Sequence, residues 1–236
     1  MENTVRLSPR LALLASLVPY GARVADVGTD HGLLPVWLLV NGIVESAVAT
    51  DIRPGPLSHA ENLLREHGLS AMRCILCDGL EGIGPSEVDT VIIAGMGGEN
   101  IAGILRRALW TGSGTLLLLQ PMTRSEELRK ALREMHIRIL EEHLVEDAGR
   151  IYPVILAVGG VPAALTEAEY YTGSYDLVSR EPLFLPMLNS LEKRIDTAVA
   201  GLVSSRKAGD GERITYLRRV RTEIGEMRGR YNAQSI

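Results

Sequence analysis

Short apolar runs alternate with amphipathic stretches over the first two thirds of the chain, and this alternation restricts the fold more than any other feature. The apolar runs are bounded by glycine or polar residues and cover residues 23–28, 46–52, 72–78, 89–95 and 114–120. Helical periodicity separates them, most clearly at 55–69 and 125–135, and a first helix is predicted at about 8–18. Apolar strands that alternate with helices indicate a parallel sheet with both faces covered.

The pattern changes after residue 136. Residues 138–160 contain two strand-like halves on either side of the sequence EDAGR, residues 146–150, which predicts an antiparallel hairpin. A parallel sheet that ends in such a hairpin is the arrangement of S-adenosylmethionine (SAM) dependent methyltransferases, whereas a simple dinucleotide-binding sheet does not need one. The sequence therefore predicts an α/β fold with a Rossmann-like class I methyltransferase sheet over residues 1–160.

The remaining residues, 161–236, are predicted to form a connection and a C-terminal helical domain. Residues 161–181 contain Pro162 and several glycine and serine residues, which is typical of a connection. Two seams with a spacing of three and four follow, through Leu188, Leu191, Ile195, Ala198 and Leu202, and through Leu217, Val220, Ile224, Met227 and Tyr231. Matching seams around the short link 207–212 favour an antiparallel coiled-coil hairpin, and one more layer on the sheet is the alternative.

Composition and charge narrow the class of protein. Hydrophobic residues make up 46% of the 236 residues and charged residues 23%, as in ordinary globular proteins, and no apolar run approaches the ~18–20 residues of a membrane span. Cys74 and Cys77 have no second pair to complete a zinc site, so we expect no metal and reduced thiols in the cytoplasm. Residues 1–181 carry 15 basic against 23 acidic residues, net −8, and residues 182–236 carry 10 against 6, net +4. A polyanion is therefore expected to meet the C-terminal segment first.

Glycine and acidic residues stand where the predicted strands end. Gly28, Asp51, Asp78 and Gly95 follow four consecutive strands, and ligands of doubly wound sheets bind beyond the carboxyl ends of the strands. Asp51 is placed to accept hydrogen bonds from both hydroxyls of a ribose, and Asp78 is placed to accept one from an adenine amine. In GTDHGLL, residues 28–34, Asp30 replaces the second glycine of the dinucleotide fingerprint and would repel a pyrophosphate. These residues favour a cationic nucleoside cofactor without phosphate, and SAM has this chemistry.

Several segments together resemble the bacterial tRNA adenine N1-methyltransferases that modify adenosine 22. The segments are LSPRLALLASLVPYGARVADVGTDHGLLP, ATDIRPGPLSHAENL, CDGLEGI, IIAGMGGENIAGIL and LLLQPM. The resemblance runs from Leu7 to about Val158 and implies a SAM-binding domain followed by a coiled coil. It implies that the cofactor is lined by Gly28, Asp51, Ile52, Asp78, Gly79 and Leu80, with Gly95 and Met96 beside its methyl-bearing end. Asp30 and His31 would face the entering substrate, and Met122 departs from the family, which favours asparagine after QP.

The resemblance also implies a reaction and a partner. The ring nitrogen N1 of adenine has an available lone pair, so the catalytic candidates Asp30, His31 and Met96 would position the base and stabilise developing charge, and a general base is optional. The tRNA would contact the basic C-terminal helices through Arg218, Arg219 and Arg221, and Arg10 would meet either the methionine carboxylate or a tRNA phosphate. The other four histidines, His59 among them, are predicted to be structural. A small-molecule or protein acceptor, or a scaffold that binds a nucleoside without turnover, remains an alternative, and the oligomeric state stays open.

Overall fold

The computed structural model describes residues 5–205 and 210–234 and contains one sheet and nine α-helices within those ranges. The strands are β1 Ala22–Val27, β2 Val44–Asp51, β3 Met72–Leu76, β4 Thr90–Gly97, β5 Leu116–Thr123, β6 Ile137–Asp147 and β7 Arg150–Gly159. The helices are α1 Pro9–Leu17, α2 Leu33–Val40, α3 Pro54–Glu66, α4 Gly98–Arg107, α5 Ser125–Glu134, α6 Glu167–Thr172, α7 Tyr175–Val178, α8 Phe184–Ser205 and α9 Asp210–Gln234.

The sheet has the strand order β3-β2-β1-β4-β5-β7-β6, and the predicted methyltransferase sheet is confirmed. Strands β1 to β5 pair in parallel, and β7 runs antiparallel to β5. The hairpin between β6 and β7 turns at Ala148 and Gly149, which both have a positive φ, as the tight turns that match strand twist require. The strand order reverses between β1 and β4, so their carboxyl ends leave a crevice.

Helices cover both faces of this sheet because the strand residues are apolar on both sides. On one face α1, α2 and α3 pack against the sheet, and on the other face α4 and α5 do so. Alternate residues of one strand divide between the two cores, as Val24 and Ala25 of β1 show. Helix α1 begins where Ser8 caps it and Pro9 occupies its first turn, close to the predicted start.

The chain divides into two compact units. One holds the described residues of 1–141 together with Val145–Ala163, and the other holds Glu142–Leu144 and the described residues from 164 onward. The assignment of a SAM-binding domain to 1–160 and a coiled-coil domain to 161–236 stays a prediction. None of the helices in the described part of the chain combines the length and the hydropathy that a membrane span requires.

Helices α8 and α9 form the predicted hairpin and enclose a core of their own with α6 and α7. Its buried residues include Tyr175, Phe184, Leu188, Leu191, Ile195, Leu217, Val220 and Ile224. One detail of the prediction is wrong, because Ala198 is exposed while Val199 packs against the core. The expected connection 161–181 contains the short helices α6 and α7, which the sequence did not indicate. Residues 206–209, which include the start of the predicted link, lie outside the described residues.

Candidate active site

Two adjoining cavities lie in the first unit at the carboxyl ends of β1, β2 and β4. Their volumes are about 760 Å³ and 620 Å³. Both are lined by Gly28, Asp51, Arg53, Ala94 and Gly95, so they meet at the point where the strand order reverses. Open α/β sheets bind their ligands at this crevice, and we treat the two cavities as one candidate site with a first and a second half.

The turn after β1 places Gly28 against Met96. The Gly28 amide donates to the Thr50 carbonyl on β2 at 2.8 Å, and the Gly28 φ of +70° lies in the left-handed region that glycine adopts readily. A Cβ on Gly28 would lie 2.7 Å from Met96 Cε. A larger residue would therefore displace the Met96 side chain, which lines the second half of the site.

Asp51 ends β2 and lines both halves of the site. It is only 6% exposed, and its Oδ1 accepts a hydrogen bond from the Arg53 backbone amide at 2.8 Å. That bond fixes the carboxylate in one orientation. A carboxylate has acceptor sites on both oxygens, so Asp51 retains the capacity to accept hydrogen bonds from a ligand diol.

A second buried acid, Asp26 on β1, lines the first half of the site. The pKa of Asp26 is raised to about 6, mainly by burial and to a smaller extent by the neighbouring carboxylates of Asp30 and Asp51, while a Thr29 hydrogen bond lowers it. The three acids are close enough to repel one another, and the lining of this cavity also includes Arg6, Arg10 and Arg53. A positively charged ligand group would relieve the repulsion, whereas a phosphate would increase it.

The second half of the site combines an apolar surface with a carboxylate. Ile52 is 68% exposed there although it is a large aliphatic residue, and Gly79 lies nearby on the lining. Asp78 Oδ1 accepts from Arg107 Nη2 of α4 at 2.8 Å, and both residues line the cavity. An exposed aliphatic side chain beside an anchored acceptor suits the face and the edge of a purine.

The rim of the first half holds Asp30, His31 and His59. The side chain of Asp30 is 78% exposed, and its Oδ1 lies 3.5 Å from His31 Nε2. The His31 φ of +59° is unusual for a residue other than glycine, and its ring meets the His59 ring edge-on with the centroids 4.7 Å apart. The rim therefore presents the carboxylate and one imidazole of the turn, and the imidazole of His59 on α3, to a group that enters the cavity.

The two cysteines take no part in this arrangement beyond Cys77 on the lining of the second half. Both thiols are free, and burial raises the pKa of each, that of Cys74 to about 11, so neither ionises readily at neutral pH. Within residues 5–205 and 210–234, no group of three or more His, Cys, Asp or Glu side chains is arranged to hold a metal ion.

Comparison with known proteins identifies the family. A family model described as a methyltransferase domain matches residues 7–155. The tRNA (adenine(22)-N(1))-methyltransferase of Bacillus subtilis (strain 168) is 35% identical over 160 residues, which is 67% of this chain and 67% of that protein. The chain therefore belongs to the methyltransferase family that includes this tRNA (adenine(22)-N(1))-methyltransferase.

Solved structures of the tRNA (adenine(22)-N(1))-methyltransferase family agree with this assignment. A putative tRNA (m1A22) methyltransferase from Streptococcus pneumoniae is 30% identical with a TM-score of 0.82, and the match covers 94% of this chain and 99% of that one. The same protein in complex with SAM is 30% identical with a TM-score of 0.78, and the match covers 91% and 99% of the two chains.

SAM is the cofactor of the methyltransferase family, and the residues of the candidate site fit it. Asp51 suits the ribose, Ile52 and Asp78 suit the adenine, and the acids around Asp26 suit the ammonium and sulfonium groups. The cavities meet at Gly28 and Gly95, where the two halves of an elongated nucleoside would join.

Most of the predicted site residues line these cavities, and the individual roles assigned to them stay predictions. Gly28, Asp51 and Gly95 line both halves, Asp30 and His31 line the first, and Ile52, Asp78, Gly79 and Met96 line the second. Leu80 differs, because its side chain is buried in the sheet core and lines neither cavity. A contact of Leu80 with the cofactor would have to come from its backbone.

Sequence reasoning missed three contributors to the site. His59, predicted to be structural, lies on the rim; Arg107 is paired with Asp78; and Gln120 is buried behind Gly95. The position of His59 five residues after Pro54, in the first half of the helix that follows the Asp51 strand, is a signal that could have found it. Arg107 contacts Asp78, 29 positions away, and Gln120 contacts Gly95, 25 positions away. A local sequence pattern does not predict pairs at such separations.

Proposed function

We propose that this protein transfers the methyl group of SAM to N1 of adenine 22 in tRNA. The observation that carries the proposal is the cluster of strand-end acids in a two-part cavity, in a chain 35% identical to a tRNA (adenine(22)-N(1))-methyltransferase. The reaction needs a nucleoside-shaped half for the cofactor and an open half for the acceptor base. The candidate site offers both.

The chain binds and orients the reactants. SAM supplies the electrophilic methyl group when it is bound. Asp51 accepts hydrogen bonds from the ribose, Ile52 covers one face of the adenine, and Asp78, anchored by Arg107, accepts from its amine. Met96 packs against Gly28 and closes the lining between the two halves.

The acceptor side requires alignment more than proton transfer. N1 of adenine presents a lone pair, and holding it in line with the methyl group can supply roughly 7–11 kcal/mol of barrier lowering. The Asp30 carboxylate at the rim stabilises positive charge that develops on the adenine, and the His31 ring, packed edge-on against His59, limits how the base can enter. The product leaves as a cation, so these residues need not accept a proton.

The tRNA body is held by exposed basic side chains, most of which form no ion pair with the described residues. On the cavity rim Arg6 is exposed and forms no ion pair with the described residues, and the Arg53 side chain is 74% exposed although its Nε lies 3.5 Å from Asp51 Oδ1. In the helical hairpin Lys193, Arg194 and Arg218 are exposed and unpaired within the described part of the chain. Arg219 and Arg221 instead bind carboxylates of the same unit, so we assign the phosphate contact of this helix to Arg218.

The experiment that tests the proposal is a methylation assay with labelled SAM and unmodified tRNA, followed by nucleoside analysis. The expected product is N1-methyladenosine, formed on a tRNA with adenine at position 22 and absent when that adenine is replaced by guanine. Label on a protein or a small molecule would favour a different acceptor. Tight SAM binding without transfer to any tRNA would favour a scaffold.

A further inference from the structure

A partly buried polar chain runs from the end of β6 along the wall of the first cavity, where Arg10 is part of the lining, to the turn where the two cavities meet. Asp147 Oδ2 at the end of β6 accepts from Arg10 Nε of α1 at 2.6 Å. Arg10 Nη1 donates to Gln120 Oε1 on β5 at 3.0 Å, and the same oxygen accepts from the Gly95 backbone amide on β4 at 3.2 Å. Four elements far apart in sequence thus converge on one peptide of the site.

The Gly95 peptide has no pairing partner in the β4–β5 ladder. In the β4–β5 ladder Ala94 pairs with Gln120 and Met96 pairs with Pro121, so Gly95 is skipped at a bulge. Gly95 has a φ of +78°, and a Cβ there would meet nothing within 4 Å. The Gln120 side chain takes the place of a ladder partner and sets the direction of the Gly95 amide.

The orientation of the Gln120 amide is itself fixed by its neighbours. Arg10 Nη1 and the Gly95 amide can only donate, so they require the oxygen of Gln120 on their side. Gln120 Nε2 in turn donates to the Pro121 carbonyl at 3.1 Å and lies 3.6 Å from Met122 Sδ. The Gln120 side chain is fully buried, so water does not compete for these bonds.

Arg10 also has contacts that do not involve Gln120, and these fix its guanidinium group. Asp147 neutralises its charge, and its guanidinium carbon lies 5.5 Å from the centre of the buried Tyr152 ring on β7. A planar guanidinium can bind a carboxylate and an amide oxygen at the same time, which a lysine ammonium does with less geometric control. Arg10 therefore locks Gln120 in the one rotamer that supports Gly95.

We propose that Arg10 and Gln120 are positioning residues for methyl transfer, which fix the Gly95–Met96 turn beside the reacting groups through the Asp147–Arg10–Gln120–Gly95 chain. This inference rests on the proposed function for its readout in turnover. Neither residue needs to contact the reacting atoms: Gln120 acts through the Gly95 peptide, and Arg10 acts through Gln120.

The test compares Gln120→Met, which keeps the volume and removes the acceptor, with Arg10→Lys and with the control Arg23→Lys. Arg23 pairs with Asp89 at the opposite edge of the sheet, so it controls for the loss of an ion-paired arginine. For Gln120→Met we expect kcat to fall roughly 10- to 100-fold, because a misplacement of about 1 Å has that effect. The KM for tRNA and the affinity for S-adenosylhomocysteine should each stay within about threefold. Arg10→Lys should act in the same direction, and Arg23→Lys should change none of these values.

A second readout does not depend on turnover. The Gly95 amide of the protein without cofactor should exchange with solvent at least about tenfold faster in Gln120→Met than in the wild type, because its buried acceptor is gone. Unchanged kcat in a folded variant, or a parallel loss of kcat and S-adenosylhomocysteine affinity, would overturn the proposal. If Gln120→Met does not fold, Arg10→Lys decides by the same measurements. A wild-type protein that methylates no tRNA would refute the proposed function, while the exchange result would still judge the polar chain.

Discussion

The carboxylate of Asp51 supports the most direct prediction at the scale of single residues. Replacing it with alanine removes the charged acceptor of two hydrogen bonds that the ribose hydroxyls donate, so the affinity for S-adenosylhomocysteine should fall roughly 10- to 100-fold. Titration calorimetry would measure this, with Asp89→Ala, remote from the cavity, as the control.

The same substitution should leave the protein folded. Asp51 adds to the repulsion on Asp26, so its removal relieves one unfavourable interaction while it costs the bond from the Arg53 amide. The thermal midpoint of Asp51→Ala should therefore stay close to that of the wild type. Unchanged cofactor affinity in this variant would contradict the assignment of the ribose to Asp51.

Asp26 supports a prediction about pH. Its pKa is raised to about 6 by burial, whereas an unfolded chain has an aspartate pKa near 3.9, so folding binds a proton between these values. The contribution of Asp26 to stability is thus complete below about pH 4 and is lost as the pH rises through 6, by at most about 3 kcal/mol.

Asparagine at position 26 keeps the shape and cannot ionise, so it should remove this dependence. The unfolding free energy of Asp26→Asn, relative to the wild type, should increase between pH 4.5 and 7.5, by at most about 3 kcal/mol. Denaturant titrations of both proteins at several pH values measure the difference. A difference that is the same at every pH would show that Asp26 is not the group that loses its proton.

The acids of the site could be predicted from sequence, and most of the groups that hold them could not. Asp51 and Asp78 are visible because a strand end is a local pattern, and parallel strands bring their carboxyl ends to one edge. Arg10 contacts Asp147 across 137 positions and Gln120 across 110, and only the folded sheet brings such residues together. His31 was recognised because it follows Asp30 in a turn where a dinucleotide-binding protein would be richer in glycine. Its contact with His59 depends on how α3 packs.

At the scale of helices, the α8–α9 hairpin separates basic residues that hold the fold from basic residues that are free. Arg221 Nη1 pairs with Glu192 Oε1 at 3.0 Å and its Nε lies 3.3 Å from Asp196 Oδ1, whereas Arg218, one turn earlier, is exposed without an ion pair in the described residues. The sequence grouped the two arginines together because spacing shows which face a residue occupies and not which carboxylate lies opposite.

The two arginines therefore form a matched pair for mutation. Arg218→Gln should reduce the slope of log tRNA affinity against log salt by about 0.7–0.9, the value for one lost phosphate contact, with no loss of stability. Arg221→Gln should keep that slope and lower the unfolding free energy by up to about 1 kcal/mol. Filter binding at several salt concentrations and thermal melts distinguish them, and equal effects on the slope would contradict the division of roles.

The helical seams show where periodicity succeeds and where it fails. Leu188, Leu191 and Ile195 are buried as predicted, but the seam then moves from Ala198 to Val199. An alanine contributes little apolar surface, so a neighbouring valine can take its place against the core at small cost. The short helices α6 and α7 were missed because six and four residues are too few to show a period.

For the whole molecule, the net negative charge of the protein opposes the binding of the proposed tRNA substrate. Residues 1–181, which include the candidate site, carry a net charge of −8, and the buried carboxylates of the site favour a cationic cofactor. The substrate is a polyanion. Binding therefore depends on exposed cations, among them Arg6 and Arg53 on the rim and Lys193, Arg194 and Arg218 in the hairpin.

This division of charge predicts that the affinity for tRNA depends strongly on salt, whereas the affinity for S-adenosylhomocysteine does not. If all five cations contact phosphates, log tRNA affinity should fall with log salt at a slope of roughly −3.5 to −4.5, because each contact releases counterions. S-adenosylhomocysteine carries no net charge and binds through buried hydrogen bonds, so its affinity should change little between 50 and 200 mM salt. Binding titrations of both ligands on one preparation would measure the contrast. A shallow slope for tRNA would mean that shape and base contacts, rather than these cations, hold the substrate against the negative field of the catalytic unit.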